Sequence, residues 1–473
     1  MSETAAYLKA ILVALRNDLV PELSSDMAKH RAELMDFILT RLVAQMSAPS
    51  AWRDSYWREV KQSLEKAKIA FPRTNADNGA NLERQLSDLL KAILADVAQA
   101  REESRLTKTA LETLTGGIAR AETEYRNRFE TLVQSEGRSV PVARTDRIQS
   151  KMTAENITSY LRRRFADTPD VRVVAVTPIP GGRSKGTTLL TQEGRASLPS
   201  DIVLRQDINA EVGGLSVTYE YPLLEQLWQA NFPIPDPLWS EDGQSELGGA
   251  FCAFAKAPGR PGGTLFRMDA PAAAARDAAK FFARLHSVDI DKTGLRDKLL
   301  WGRSQTPVRD MLDFYHMKWK DSETEPSALI EASFIWLYDH LDAIDPKTVL
   351  VHGDGSYHNM LIHDGRLSAV LDWEFAHAGD AAEDLLGSQH FTIQVLPWEE
   401  FINIYRENGG GEISRERFRF FALWRSLRFA IATAAAGRVF ANGVNRDLRV
   451  AAIGHNSYPR LLQDVARQLA ALD

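Results

Sequence analysis

The sequence predicts an α+β fold preceded by an all-α segment, and three patterns carry the prediction. Apolar residues recur at helical spacing as far as about residue 135, and β-branched runs follow at 171–176 and 201–205. Two further apolar runs, 360–362 and 367–371, flank the turn dipeptide Asp364-Gly365. At 473 residues the chain exceeds a single core and suits two or three domains. Its 44% hydrophobic and 25% charged residues are those of a globular chain rather than a disordered one. A net charge of −6 gives no drive toward nucleic acid or an anionic membrane, and neither is an expected partner. No apolar run reaches the ~18 residues of a membrane span, and the run 11–15, bracketed by Lys9 and Arg16, is too short for a signal peptide. Cys252 is the only cysteine, which excludes an internal disulfide and makes a reducing cytoplasm the expected setting.

The elements follow in order. Leu8, Ile11, Leu12, Leu15 and Leu19 lie at helical spacing, as do Leu34, Phe37, Ile38 and Leu42. Pro21 and Ser24-Ser25-Asp26 divide the two helices and offer an N-cap. A third helix is expected near Leu82, Leu86, Leu90, Ile93 and Val97, and a fourth over about 106–133, with Gly116-Gly117 as a potential break. Charges of both signs are interspersed, so residues 1–135 read as an up-down helical bundle, followed by a polar linker over 136–152. Beyond it a helix over 154–165 leads into the strands. Between them lies Gly181-Gly182-Arg183-Ser184-Lys185-Gly186-Thr187, whose spacing approaches a Walker A loop but puts Thr187 where the lysine must stand. A P-loop NTPase is therefore rejected. Amphipathic and core helices are expected over 278–288 and 417–438, and the aromatics Trp301, Phe314, Tyr315, Trp319 and Trp336 read as core.

The chemistry concentrates in His352-Gly353-Asp354-Gly355-Ser356-Tyr357-His358-Asn359, followed thirteen residues later by Asp372-Trp373-Glu374. A hairpin turned at Asp364-Gly365 carries Asp372 back beside Asn359. That set suits phosphoryl transfer: one carboxylate accepts a hydroxyl proton, while an amide and a second carboxylate hold magnesium on the ATP phosphates. Together with Gly379-Asp380-Ala381-Ala382-Glu383-Asp384-Leu385, this stretch resembles the aminoglycoside phosphotransferase/choline kinase superfamily. Within it, the chain is most similar to the acyl-CoA-dehydrogenase-associated branch of hydroxyacyl-CoA-type kinases. The similarity runs from about residue 155 to the C-terminus.

The resemblance implies a protein-kinase-like two-lobed fold, with a small β-rich nucleotide lobe over 153–258 and a larger helical lobe over 259–473 carrying the catalytic and acceptor sites. It implies ATP and Mg2+ as cofactors, Asp354 as catalytic base, and Asn359 and Asp372 as magnesium ligands. His352 takes a structural place in the catalytic loop, Asp380 and Asp384 brace the segment after the metal site, and Glu374 is a further carboxylate within reach of a metal. Arg205 stands where the wider family usually has the lysine that grips the α- and β-phosphates, and Glu220 matches the helix carboxylate that pairs with it. Ser184 and Lys185 belong to the loop over the nucleotide phosphates. The backbone from Phe254 to Lys256 takes the hinge position that reads the adenine edge, although Ala255 stands where the family usually has an acid. Cys252 then falls inside a packed strand.

The implied reaction moves the γ-phosphate of ATP to a hydroxyl of a small molecule, with a hydroxyacyl-CoA or related catabolic alcohol preferred. An aminoglycoside or macrolide acceptor is the alternative, although the C-terminal lobe has no dense acidic run to receive a cationic antibiotic. From another class comes a catalytically weak pseudokinase serving as a nucleotide-binding scaffold. The histidines at 352, 358, 363, 377 and 390 fit no compact zinc motif, and no Asp-Phe-Gly to Ala-Pro-Glu segment marks a protein kinase. The N-terminal bundle is expected as an accessory subunit fused in cis, and assembly as a homodimer is left open.

Overall fold

A computed structural model describes residues 3–70, 79–98, 107–136, 152–166, 170–179, 185–195, 197–207, 216–243, 247–264, 267–322, 326–443 and 448–472. The chain groups into two compact units: Met1–Ala143, Val308–Ile344 and Arg415–Asp473 form one, and Arg144–Pro307 with Asp345–Ser414 forms the other.

The first unit is helical. Its N-terminal segment supplies α1 (Glu3–Ala14), α2 (Asp26–Ser47), α3 (Ser50–Lys66), α4 (Gly79–Ala98) and α5 (Lys108–Glu136). Ser25 caps α2, its hydroxyl accepting the Ala28 N–H at 3.1 Å. The expected break at Gly116-Gly117 is absent, and α5 runs through it. A Cβ on Gly117 would stand 1.9 Å from Ser63 Oγ, so the glycine serves the close approach of α3 to α5. Helix α3, with Trp57, Val60 and Leu64 buried along one face, was not among the helices expected from the sequence. Arg41 of α2 and Glu130 of α5 form a buried bidentate pair at 2.6 and 3.3 Å.

Against these helices pack α10 (Ala328–Asp339), α14 (Leu448–Ala452) and α15 (Tyr458–Ala470), α13 (Arg415–Ala441) packs on those three, and Arg309 of α9 (Pro307–Ser322) donates to the Ala98 carbonyl at 2.6 Å. Ala328 to Tyr338 of α10 are all buried, as its largely apolar sequence requires, and its one buried charge, Glu331, accepts the Trp319 indole N–H at 3.0 Å. Helices α4, α5, α13 and α15 enclose α10, and Glu83 of α4 accepts the Ala328 N–H at 2.9 Å. The expected boundaries, with 1–135 as a free-standing bundle and 308–344 and 415–473 as parts of the other lobe, therefore differ from the compact units. Apolar faces far apart in sequence cover one another, which periodicity alone does not reveal. A chain beginning at residue 152 is expected to be insoluble on expression while the full chain is soluble, and recovery of a soluble, folded truncation would contradict this.

The second unit holds a five-stranded antiparallel sheet in the order β1-β2-β3-β5-β4, built from β1 (Arg172–Ile179), β2 (Lys185–Glu193), β3 (Asp201–Asp207), β4 (Pro237–Asp242) and β5 (Ala250–Ala255). In β3, Ile202 and Leu204 are buried in the core formed with Ile157, Leu161, Leu190, Trp239 and Phe251, the first two of these on α6 (Ala154–Arg164). The two-residue period of a strand then puts Arg205 and Asp207 on the opposite face. Lys185 pairs in register with Asp207, and Thr187 and Cys252 with Arg205. Helix α7 (Val217–Gln229), which carries Glu220, packs on β3, β4 and β5.

The remainder of this unit carries the predicted catalytic stretch. It comprises β6 (Arg260–Pro261), α8 (Ala272–His286), β7 (Val349–Val351), β8 (Met360–His363), β9 (Arg366–Val370), β10 (His377–Gly379), α11 (Ala382–Thr392) and α12 (Trp398–Glu407). The hairpin of β8 and β9 forms as expected, with Asp364 and Gly365 at φ +49° and +75°, the positive pair that a two-residue turn of this hand requires. No helix among the described residues is long and apolar enough to cross a membrane.

Candidate active site

At the end of β7 the chain turns sharply through His352-Gly353-Asp354. Gly353 has φ +79°, and a Cβ there would sit 2.4 Å from the Phe375 carbonyl oxygen, so this turn accepts only glycine without strain. The His352 and Gly353 N–H groups donate to the two carboxylate oxygens of Asp384 at 2.8 and 2.9 Å. His286 of α8 reaches the same carboxylate through Nε2 at 3.2 Å, and its Nδ1 lies 2.9 Å from the Tyr405 hydroxyl of α12. Burial would raise the Asp384 pKa. The His286 hydrogen bond, the His286 and His352 side chains and the backbone donor outweigh it and hold the carboxyl below the usual range. The His352 ring accepts the Asp354 N–H at Nδ1 (3.2 Å) and donates from Nε2 to the Leu371 carbonyl (3.0 Å), which fixes the ring between the two.

Asn359 lies against Asp354, and the backbone ties Leu371, the residue before Asp372, to Asn359. Asn359 Nδ2 donates to the Asp354 carbonyl and to Asp354 Oδ2, both at 3.0 Å, which turns the amide oxygen away from Asp354. His358 Nε2 stands 3.7 Å from that same Oδ2. The Leu371 N–H donates to the Asn359 carbonyl at 2.7 Å. With its carbonyl also held by His352, Leu371 anchors Asp372 at φ +65°, a left-handed value uncommon outside glycine.

Two cations from the sheet face four carboxylates. Arg205 makes an ion pair with Asp372 and lies 3.8 Å from Glu220 Oε1, while Lys185 Nζ bonds Asp207 at 2.7 Å and stands 4.0 Å from Glu374. Burial pushes the Glu220 carboxyl up to about 8 against the pull of Arg205, with Asp372 and Glu374 adding to the rise. Burial opposes the charge on Arg205, but Glu220 and Asp372 overcome it and raise its pKa. Ser184 lies outside the described residues. Asp207, the Lys185 partner, was missed by sequence reasoning, as were the His286 and Tyr405 braces. Only spatial proximity marks them.

At the expected hinge, the backbone N–H groups are already engaged. Phe254 is a strand residue paired on both sides, with its ring buried 6.2 Å from that of Tyr221. The N–H groups of Ala255 and Lys256 donate to the Asp236 and Asp201 carbonyls at 2.9 and 3.2 Å, and the Lys256 ammonium pairs with Asp201 at 3.2 Å. Among the described residues, the next backbone donor, on Ala257, carries no hydrogen bond. Cys252 is buried in β5 with its thiol on the Val217 carbonyl, and burial drives its pKa far up, so it is no nucleophile.

Among the described residues no group of three or more His, Cys, Asp or Glu side chains is placed to hold a metal. The His352 and His377 rings are engaged by neighbouring backbone and His358 by Ser356, so the histidines form no zinc cage. An amide oxygen and a carboxylate do suit magnesium, which keeps waters and phosphate oxygens as its other ligands, and Asp372 already draws a cation in Arg205.

The sequence pattern of the phosphotransferase enzyme family (APH) matches residues 175–430, more than half of the chain. The chain belongs to that family. It is 26% identical over 272 residues to acyl-CoA dehydrogenase family member 11 of Gallus gallus, covering 54% of this chain and 33% of that protein. With the Rattus norvegicus protein of the same name it shares 24% over 295 residues, covering 59% and 36%. The chain thus spans about a third of the length of the curated relatives it matches. A solved "putative aminoglycoside phosphotransferase" from Ralstonia eutropha superposes with a TM-score of 0.50 at 17% identity, covering 67% of this chain and 98% of that one, and it shares the kinase-like fold. This phosphotransferase is expected to lose about 2 kcal/mol or more on Gly353→Ala, since a left-handed β-carbon also meets the Phe375 carbonyl. Denaturant unfolding checks it, and an unchanged midpoint would contradict it.

Proposed function

We propose that this phosphotransferase transfers the γ-phosphate of ATP to a hydroxyl of a small molecule, with Mg2+ as the metal. The observation that carries the reading is the Asp354–Asn359 hydrogen bond at the turn, with the backbone of Leu371 setting Asp372 next to Asn359 and Arg205 paired to Asp372. Asp354 orients the acceptor hydroxyl and takes its proton as the oxygen attacks the γ-phosphorus. The bond from that phosphorus to the bridging oxygen breaks, and ADP departs with the electron pair. Asn359 and Asp372 would hold the magnesium, which would neutralise charge on the phosphates. Arg205, buttressed by Glu220, answers the phosphates from the sheet, and Lys185 and Ser184 belong to the same nucleotide site. The adenine edge is read at the hinge, where Ala257 offers the N–H that Ala255 and Lys256 have already committed.

The acceptor we favour is a hydroxyacyl-CoA. Relatives named for acyl-CoA dehydrogenase carry this region as about a third of their length, which supports an acyl thioester as the shared chemistry. Phosphorylation converts a poor leaving group into a good one and so prepares an elimination. ADP release from ATP and Mg2+ is expected to rise with 3- or 4-hydroxyacyl-CoAs and not with aminoglycosides or a macrolide. Asp372→Ala is expected to abolish nearly all turnover and Asp354→Ala to come close. Retention of more than about a tenth of wild-type turnover by either variant contradicts the assigned roles. Stimulation by an antibiotic alone would replace the acceptor class.

A further inference from the structure

The Lys185–Asp207 pair has no part in the mechanism above beyond Lys185 itself, yet it ties three elements together. Asp207 closes β3, two residues beyond Arg205 and on the same face of the strand. Its Oδ1 accepts Lys185 Nζ at 2.7 Å and the Val217 N–H at 3.2 Å, and its Oδ2 accepts the Ser216 hydroxyl at 2.7 Å. Lys185 opens β2, immediately after the glycine-rich segment, and is buried, with Glu374 4.0 Å away. Ser216 and Val217 are the N-cap and first residue of α7, the helix that presents Glu220 to Arg205.

We propose that Asp207 is a positioning residue of the nucleotide site: one carboxylate sets both the Lys185 ammonium and the N-terminus of α7, and so fixes Lys185, Glu220 and Arg205 as a unit. Asp207 touches no substrate in this scheme and acts only through the groups it holds. A carboxylate at the start of α7 also faces the positive end of the helix, where it is best tolerated. The inference rests on the phosphotransferase reading of the same site.

Charge alone predicts the opposite outcome. Two cations there already serve four carboxylates, so removing the Asp207 charge should help a polyanionic nucleotide if its field were all that mattered. Positioning predicts weaker binding instead.

The test uses the full chain with Mg2+ and AMP-PNP in calorimetry, and steady-state kinetics with ATP and the best acceptor. Asp207→Asn is expected to weaken AMP-PNP binding and raise the ATP KM about tenfold, with the acceptor KM unchanged. Lys185→Met should do the same, and the double variant should be no worse than either single one. If Asp207→Asn does not fold, Asp207→Glu, which keeps the charge but displaces the carboxylate from Lys185 and the α7 N-terminus, carries the test with the same direction of loss. Unchanged or tighter nucleotide binding by the folded single variants, or losses that add in the double variant, overturns the proposal. Should these variants bind as wild type while Asp372→Ala loses binding, the proposal fails and the nucleotide site stands. If the wild type itself does not bind AMP-PNP, both fall.

Discussion

The buried carboxylate of Asp384 is the constraint on which the site depends. It lies on α11, far from the catalytic turn in sequence, and accepts the two backbone N–H groups that turn cannot satisfy otherwise. A buried charge is costly unless every lone pair finds a donor, and His286, itself met by Tyr405, supplies the third. The carboxyl held below its usual range stays ionised at neutral pH, so the turn keeps its anchor. From this anchor His352 reaches Leu371, and Leu371 sets the left-handed Asp372 beside Asn359. Asp354, Asn359 and Asp372, the proposed base and magnesium ligands, are thus spaced by a hydrogen-bond chain rather than by free side-chain rotamers.

The sheet contributes charge of the other sign. Strand alternation sends Ile202 and Leu204 into the core and Arg205 and Asp207 to the working face, so a packing requirement delivers a chemical one. There Arg205 occupies Asp372 and shares itself with Glu220, while Lys185 lies between Asp207 and Glu374. An arginine on a metal-type carboxylate is a cation in place of a cation. Under the proposed function, phosphates that drew the guanidinium toward themselves would free this carboxylate for magnesium, which would couple the binding of the two.

What the sequence revealed was local. The motif 352–359 with Asp372, the Asp364-Gly365 hairpin and the strand run before Arg205 are each written within a few residues, and the hairpin forms as expected. Long-range relations were not legible. Glycines at 116–117 read as a helix break, yet one of them admits Ser63 of a neighbouring helix. The largely apolar α10 gave no hint that N-terminal helices enclose it, and the unforeseen α3 packs on α5 beside it in the same unit. At the hinge, strand pairing consumed N–H groups that spacing alone had left available. Lys185 was visible but its partner Asp207 was not, because their pairing depends on the register between β2 and β3.

The most direct measurement is calorimetric titration of AMP-PNP into the full chain with and without Mg2+, repeated on Asp372→Asn. The account predicts that Mg2+ tightens nucleotide binding in the wild type by about tenfold or more and does little in the variant, because the carboxylate that should hold the ion is gone. Equal binding with and without Mg2+ in the wild type, or full Mg2+ enhancement in Asp372→Asn, would contradict the assignment of Asp372 and with it the site as described.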